Sequence, residues 1–319
     1  MLYILYIYAY IKSSMSIMCV SEEKESALGV NRMNNRFNEY QNEKGAFMTD
    51  LAAERHRADT SVNGIFYRRD DTGPFVWERI DVTTREGEIA IDRPRGSYDT
   101  LSLERMDLLD DNEIADAANE IAGELCRMFE KSSVTPTRIL VIGLGNEDLT
   151  PDSIGPKSAN LVNATMHVQQ SDPLLFKSLE CSEIAVFIPG VMGKTGMETS
   201  EAVSAVCDVI DPDAVIAIDS IASRSPERLG TTIQISNTGI FPGSGIGNKR
   251  KPIGEKTLGV PVIAIGVPTV INANAFSDSS ISQKRSQGEL FVSPRDIDSI
   301  VTASAKIISQ GINQAFGIF

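Results

Sequence analysis

The hydrophobic pattern divides the chain into stretches of different rhythm. Residues 12–48 are polar, rich in Asn, Glu and Ser, and hold no sustained apolar period, so they read as a flexible N-terminal segment. From Thr49 the text TDLAAERHRA predicts a short helix with Thr49 as its cap. Residues 62–92 then alternate polar and apolar, which predicts a hairpin or small antiparallel meander with turns at Asp71-Thr72-Gly73-Pro74 and Glu86-Gly87. Across residues 111–131, Ile114, Ala117, Ile121, Leu125 and Met128 recur at three- and four-residue intervals, one face of a helix. Cys126, beside that face, reads as a small core residue.

Continuous apolar runs follow at 138–145 (RILVIGLG), 184–188, 214–219 (AVIAID), 232–235 and 260–266. Helical patterns separate several of them, notably SANLVNATMHVQ (158–169) and TSEAVSAVCDVI (199–210). Short apolar strands interleaved with amphipathic helices predict an α/β fold: a mostly parallel central sheet with helices on both faces, preceded by a small antiparallel N-terminal β subregion. The last segment, 293–316, predicts a closing amphipathic helix with Ser293 as cap before Pro294.

Composition narrows the classes. With 319 residues, 42% hydrophobic and 23% charged, the chain is an ordinary globular one that can bury a core without metals or disulfides. Its four cysteines are scattered and only His56 and His167 accompany them, which points to a reduced, cytosolic protein without a zinc site. The net charge of −13, with no basic run longer than Lys249-Arg250-Lys251, disfavours direct nucleic-acid binding. An acidic enzyme acting on basic proteins would gain long-range attraction. Residues 1–11 form a run of Tyr, Ile and Leu, too short for a membrane span, which takes about 20 apolar residues, and lacking the basic region of a signal peptide. They read as a leader of no structural role, with Met15, Met18, Met33 or Met48 as alternative starts.

Two acids carry the candidate chemistry. Residues 141–156 (VIGLGNEDLTPDSIGP) run from strand through a glycine turn towards a helix, as in a nucleotide-binding βα unit. The fingerprint fails, because Asp148 stands where its third glycine should be. What remains is a loop at the carboxyl end of a parallel strand that presents Asp152, where open α/β sheets place their sites. Asp219 closes the apolar run AVIAID; an acid there either caps a following helix or works on a ligand. Acids at neighbouring strand ends suit a pair that shares a proton, one ionised as base and one protonated as acid. Asp71-Thr72-Gly73 spells an aspartic-protease triplet but reads as a hairpin turn. Residues 243–250 (GSGIGNKR) lack the Gly-Lys-Ser/Thr ending of a phosphate loop, and neither histidine has a Ser or Cys partner nearby in sequence.

Several blocks together, GLGNEDLTPDSIGP, IPGVMGKTGMETS, DAVIAIDSIASRSPERLGTTIQISNTGIFPGSGIGNKR, TLGVPVIAIGVPTVINA and VSPRDIDSIVTASAKIISQGIN, resemble the germination proteases of endospore-forming bacteria. The resemblance runs from about Thr49 to the C-terminus. It implies a fold related to hydrogenase-maturation endopeptidases, a homotetramer, synthesis as a zymogen in the developing spore, small acid-soluble spore proteins as substrates, and no metal or cofactor. The family is regarded as an atypical aspartic peptidase, and its two aspartates carry over to Asp152 and Asp219, with Gly143, Gly145, Asn146, Thr150 and Pro151 forming the active-site loop. Its self-cleavage pattern matches Thr49-Asp50-Leu51-Ala52-Ala53-Glu54, which places a cut between Asp50 and Leu51. Residues 1–50 are then a leader or propeptide and 51–319 a single α/β peptidase domain. An oxyanion would meet backbone N–H groups of the Gly143 to Asn146 turn. Arg224, Arg228, Lys249 and Arg250 are candidates for a basic pocket that receives the acidic residue before the cut. Residues 93–110 match the family loosely and carry no assigned site. The alternatives are a metal-dependent hydrogenase-maturation-type endopeptidase and a non-catalytic spore-protein binding module on the same fold.

Overall fold

The computed structural model describes residues 49–56, 62–242, 250–273 and 290–318, which fall in a compact unit spanning Phe47–Phe319. The polar leader, residues 1–48, and the glycine loop 243–249 lie outside the described residues. In chain order the strands are β1 (Ile65–Thr72), β2 (Phe75–Val82), β3 (Gly96–Ser102), β4 (Arg138–Gly143), β5 (Glu183–Phe187), β6 (Ala214–Ser223), β7 (Thr232–Ser236), β8 (Val262–Asn272) and β9 (Phe291–Val292). The helices are α1 (Arg85–Ile91), α2 (Asp111–Lys131), α3 (Ile154–Leu161), α4 (Met166–Ser171), α5 (Pro173–Leu179), α6 (Thr199–Ile210) and α7 (Ile297–Ala315), with single helical turns at Ala52–Arg55, Met192–Thr195 and Glu255–Leu258. No helix among the described residues is long and apolar enough to cross a membrane.

All the strands join one sheet in the order β1-β2-β3-β7-β8-β6-β4-β5, with β9 added to β8. The α/β class holds, but the sheet is parallel only on one side, where β8, β6, β4 and the edge strand β5 pair in parallel. The rest is antiparallel, from β8–β7 outward through β3, β2 and β1. The predicted N-terminal β subregion is therefore an extension of the central sheet rather than a separate element. Period-2 alternation divides each inner strand between two cores. Ile216 and Ile218 of β6 and Ile263 and Ile265 of β8 join α2 and α7 on one face. Val215 and Ala217, with Val262 and Ala264, join Val203 and Cys207 of α6 on the other.

Local chemistry explains the element ends. Asp110 caps α2, accepting from Asn112 N and Glu113 N at 2.9 Å each, while Glu113 returns a carboxylate to Asp110 N at 2.8 Å. The predicted face of α2 is buried, but Cys126 is exposed and not a core residue, because it stands one position past Leu125 on the outer side. Asp71-Thr72-Gly73 closes the β1–β2 hairpin, Thr72 pairing with Phe75 across Gly73, whose φ is 62°.

Four expectations are corrected. Residues 85–91 form α1 rather than a turn, since Thr84 Oγ1 accepts from Gly87 N at 3.1 Å and caps a run of helix formers. The pattern 158–169 splits into α3 and α4 because Thr165 pairs with β5, its N–H and hydroxyl engaging Ile184 and Ser182. Asp296, not Ser293, is the N-cap residue of α7. Thr49 caps no helix either: the turn Ala52–Arg55 begins after Leu51, and the Thr49 hydroxyl accepts from Leu51 N at 3.2 Å and donates to Glu54.

Candidate active site

The site grows out of the sheet face that carries α6. Asp219 of β6 pairs with Gly266 of β8, and Gly266 pairs with Gln234 of β7. These three positions share a rung and a face, since their strand neighbours Ile218, Ile265, Ile233 and Ile235 all point into the opposite core. With adjacent strands about 4.8 Å apart, the Cα atoms of Asp219 and Gln234 stand roughly 10 Å apart across the glycine. A cavity of about 320 Å³ opens there, lined among others by Asp50, Arg93, Asp152, Asp219, Ala222 and Gln234. The β6 strand continues to Ser223, so no helix follows Asp219 and the capping alternative has no structural basis.

The loop after β4 delivers Asp152. Gly145 adopts φ 111°, and a Cβ there would lie 2.1 Å from the Asp152 carbonyl oxygen, so the loop requires glycine at that point. The turn brings Asn146 N to 2.9 Å from Asp152 Oδ2. Pro151, second in the 3-10 turn Thr150–Asp152, lines the cavity. The Thr150 hydroxyl donates to Asp298 of α7 at 3.1 Å and so anchors the loop rather than facing the cavity. Two of the amides expected to hold an oxyanion are already committed: Leu144 N donates to Ile218 O at 2.8 Å, and Asn146 N to Asp152.

The two carboxyls sense each other. Burial pushes Asp219, 6% exposed, well above the ordinary aspartate range, and the charge of Asp152 pushes it further. The Ser220 N–H at 2.9 Å and the Arg250 charge oppose this rise, while the Asp50 charge adds to it. Burial also raises Asp152, but the Asn146 N–H and Arg250 favour its ionised form. Asp219 is therefore the stronger candidate to keep a proton and Asp152 to lose one.

The segment from Thr49 to Arg55 lies along this cavity. Asp50 runs beside β6, its N–H donating to Ala222 O at 2.9 Å and its Oδ2 accepting from Ala222 N at 3.0 Å. Arg93 Nη2 lies 3.4 Å from Asp50 Oδ1 and donates to Thr49 O at 2.7 Å. Leu51 and Ala52 are fully buried. Gln234 spans the Asp50–Leu51 junction: its Nε2 donates to Asp50 O at 3.3 Å and its Oε1 accepts from Ala52 N at 2.8 Å. Glu54 ends the docked stretch, accepting from Ser223 Oγ at 2.6 Å, Arg224 N at 2.7 Å and Ser225 N at 3.0 Å.

The structure thus brings together Asp152, Asp219, Arg250, Asp50 and Leu51 from the sequence-based set. Arg224 and Arg228 do not surround Asp50; they gather near Glu54, Arg224 through its backbone N–H and Arg228 with Nε 3.9 Å from Glu54 while pairing with Glu78 at 2.8 Å. Lys249 lies outside the described residues. Among the described residues, the basic group found beside Asp50 is Arg93, from the very stretch to which no site was assigned. Gln234 and Ser223 were also missed, although a glutamine inside the apolar run TIQIS is a polar residue on a buried strand, which calls for a partner.

A family model described as germination protease matches residues 43–283 of the chain. A germination protease of Caldanaerobacter subterraneus subsp. tengcongensis is 37% identical over 308 residues, covering 84% of this chain and 93% of that protein. One of Clostridium acetobutylicum is 34% identical over 310 residues, covering 84% and 94%. One of Priestia megaterium is 38% identical over 248 residues, covering 73% and 65%. Among solved structures, a [NiFe] hydrogenase maturation protease of Thermococcus kodakarensis KOD1 aligns with 58% of this chain and 98% of its own at 17% identity and a TM-score of 0.34.

Proposed function

The chain belongs to the germination protease family, and on that premise we propose that it is an aspartate-dependent endopeptidase, made as a zymogen, that first cuts its own Asp50–Leu51 bond and then small acid-soluble spore proteins in the germinating spore core. The observation that carries this reading is the docking of Asp50 and Leu51 at the cavity that also holds Asp152 and Asp219. A peptide bond held beside two coupled carboxyls, one biased towards its acid form, is arranged as a substrate is in general acid–base hydrolysis.

Asp152 acts as base and Asp219 as acid. Asp152 takes a proton from a water whose oxygen bonds to the Asp50 carbonyl carbon, and the carbonyl π electrons move onto oxygen. When that tetrahedral centre collapses, the C–N bond breaks and the Asp219 proton goes to the Leu51 nitrogen. The immediate products are a new main-chain carboxyl group at Asp50 and an amine at Leu51; the carboxyl proton passes to the amine on release, and the proton held by Asp152 returns to Asp219, so one water is consumed and both aspartates regain their starting states. Recognition works from both ends of the segment: Arg93 and Ala222 N take the acidic side chain before the cut, and Ser223 Oγ with the Arg224 and Ser225 N–H groups take the glutamate four positions along. Family resemblance supports a homotetramer, which sedimentation of the purified chain measures.

The test uses a peptide containing Thr-Glu-Phe-Ala-Ser-Glu. The processed enzyme cuts it between Glu and Phe, and Asp152→Asn and Asp219→Asn each lower kcat by about 10²-fold to 10⁴-fold, the range of acid–base contributions. Replacing the final Glu of the peptide by Gln raises KM. Variants that cut as fast as the parent would remove the aspartate pair from the mechanism.

A further inference from the structure

The hydrolysis outlined above puts negative charge on the oxygen of the attacked carbonyl in the transition state, and a donor already in place there would stabilise it. The glycine turn after β4 does not supply the obvious ones, because Leu144 N and Asn146 N are bonded to Ile218 O and to Asp152. A group that does reach the Asp50 carbonyl oxygen is the Gln234 side-chain amide, at 3.3 Å.

We infer that Gln234 is a further catalytic residue of this enzyme, whose Nε2–H donates to the scissile carbonyl oxygen and stabilises the oxyanion. The inference rests on the reading of Asp50–Leu51 as the bond cut. Three features of the chain's own geometry support it. Gln234 occupies the rung of Asp219 on the same sheet face, with Gly266 between them and the Ile221 side chain packed over that glycine, so donor and acid stand on either side of it. Its other amide atom is fixed: Oε1 accepts from Ala52 N at 2.8 Å, which leaves Nε2 as the atom that faces Asp50 O. The side chain is also nearly enclosed, 9% exposed on a regular strand, so its donor is held in place before reaction begins. One amide thus grips the substrate backbone on both sides of the cut, accepting from the N–H two residues after the acidic position and donating to that position's carbonyl. The contact is backbone to side chain, so it applies to any peptide that docks as residues 49–54 do. At 3.3 Å the bond to the planar carbonyl is long; it shortens as the oxygen gains charge, which is the differential binding that accelerates a reaction.

The alternative is that Gln234 merely anchors the segment through Ala52 N, and kinetics separate the two. Gln234→Ala removes donor and acceptor, whereas Gln234→Glu keeps the shape and the acceptor for Ala52 N but loses the donor once its buried carboxyl ionises, so its rates are read from neutral to alkaline pH and compared at the alkaline end. Both are compared with the parent by steady-state cleavage of the Thr-Glu-Phe-Ala-Ser-Glu peptide and by the rate at which the full chain acquires Leu51 as its N-terminus, with circular dichroism as the folding check. The expected result is a kcat lower by about 10²-fold to 10³-fold in both variants, the loss typical of one oxyanion donor, with KM of the Glu variant within about threefold of the parent. If Gln234→Ala does not fold, the Glu variant alone decides. A kcat within threefold of the parent in Gln234→Glu, or a loss confined to KM, overturns the inference while leaving the aspartate mechanism standing. If the parent chain itself is cut elsewhere than at Asp50–Leu51, the reading of the scissile bond fails, and the role of Gln234 falls with it.

Discussion

Asp219, the proposed acid, illustrates how a buried carboxyl can burden a fold. Its carboxyl is 6% exposed and its affinity for a proton is raised by burial and by Asp152. Below about pH 4, near the unfolded-state value, the group is protonated in both states. As pH rises above that value, the unfolded chain releases the proton while the folded one holds it, so the fold loses stability until the buried group itself ionises. Asn carries no such linkage. Asp219→Asn is therefore expected to melt higher than the parent at pH 7, by about 2 °C or more for each 1 kcal/mol relieved in a chain of this size, and the gain should vanish near pH 4. Equal melting temperatures at pH 7 would mean that Asp219 carries no such burden. Asp219 and Asp152 could be singled out as candidates in the sequence because an acid that ends an apolar strand, or sits in the loop after one, has few roles beyond capping a helix or meeting a ligand. Arg93 and Gln234 were not, since their importance lies in what they face across the sheet, and no local spacing encodes that.

At the scale of elements, the extension β1-β2-β3 is tied to the core by a buried charge cluster. Arg79 of β2 reaches Asp99 of β3 at 3.0 Å and Glu124 of α2, and its guanidinium stacks 4.7 Å from the Trp77 ring centre. Asp99 and Glu124 are almost fully buried, so each needs its cation. Arg79→Met should destabilise the protein by about 3 kcal/mol, the cost of stranding a buried carboxylate, read as a shift in the urea midpoint; a change under about 0.5 kcal/mol would show that Arg127 of α2, which also pairs with Asp99 and Glu124, suffices. This extension also forms the wall against which Ala52 packs, with Ile80, Val82 and Tyr98. Long periodic helices such as α2 and α6 were legible because one apolar face repeats over several turns. The direction of β7 and the continuity of β3 with the central sheet were not, because strand pairing is set by contacts between residues more than a hundred positions apart, as between Tyr98 and Ser236.

On the scale of the whole molecule, fold and cleavage segment form one unit. The parallel half supplies Asp152 and Asp219, the antiparallel half supplies Gln234 and Arg93, and residues 49–55 bridge them through Ala222, Gln234 and Glu54. On the proposed reading, cutting between Asp50 and Leu51 would make the buried Leu51 the new N-terminus. The sequence motif TDLAAE located this segment along the chain, but only the fold shows that it docks beside the two aspartates. The most direct test of that account is the mass and N-terminal residue of the full-length chain after purification and incubation, for the parent, Asp152→Asn and Asp219→Asn. The parent should yield a product that begins at Leu51, and both variants should remain uncut at that bond. Variants processed at Asp50–Leu51 as readily as the parent would contradict it.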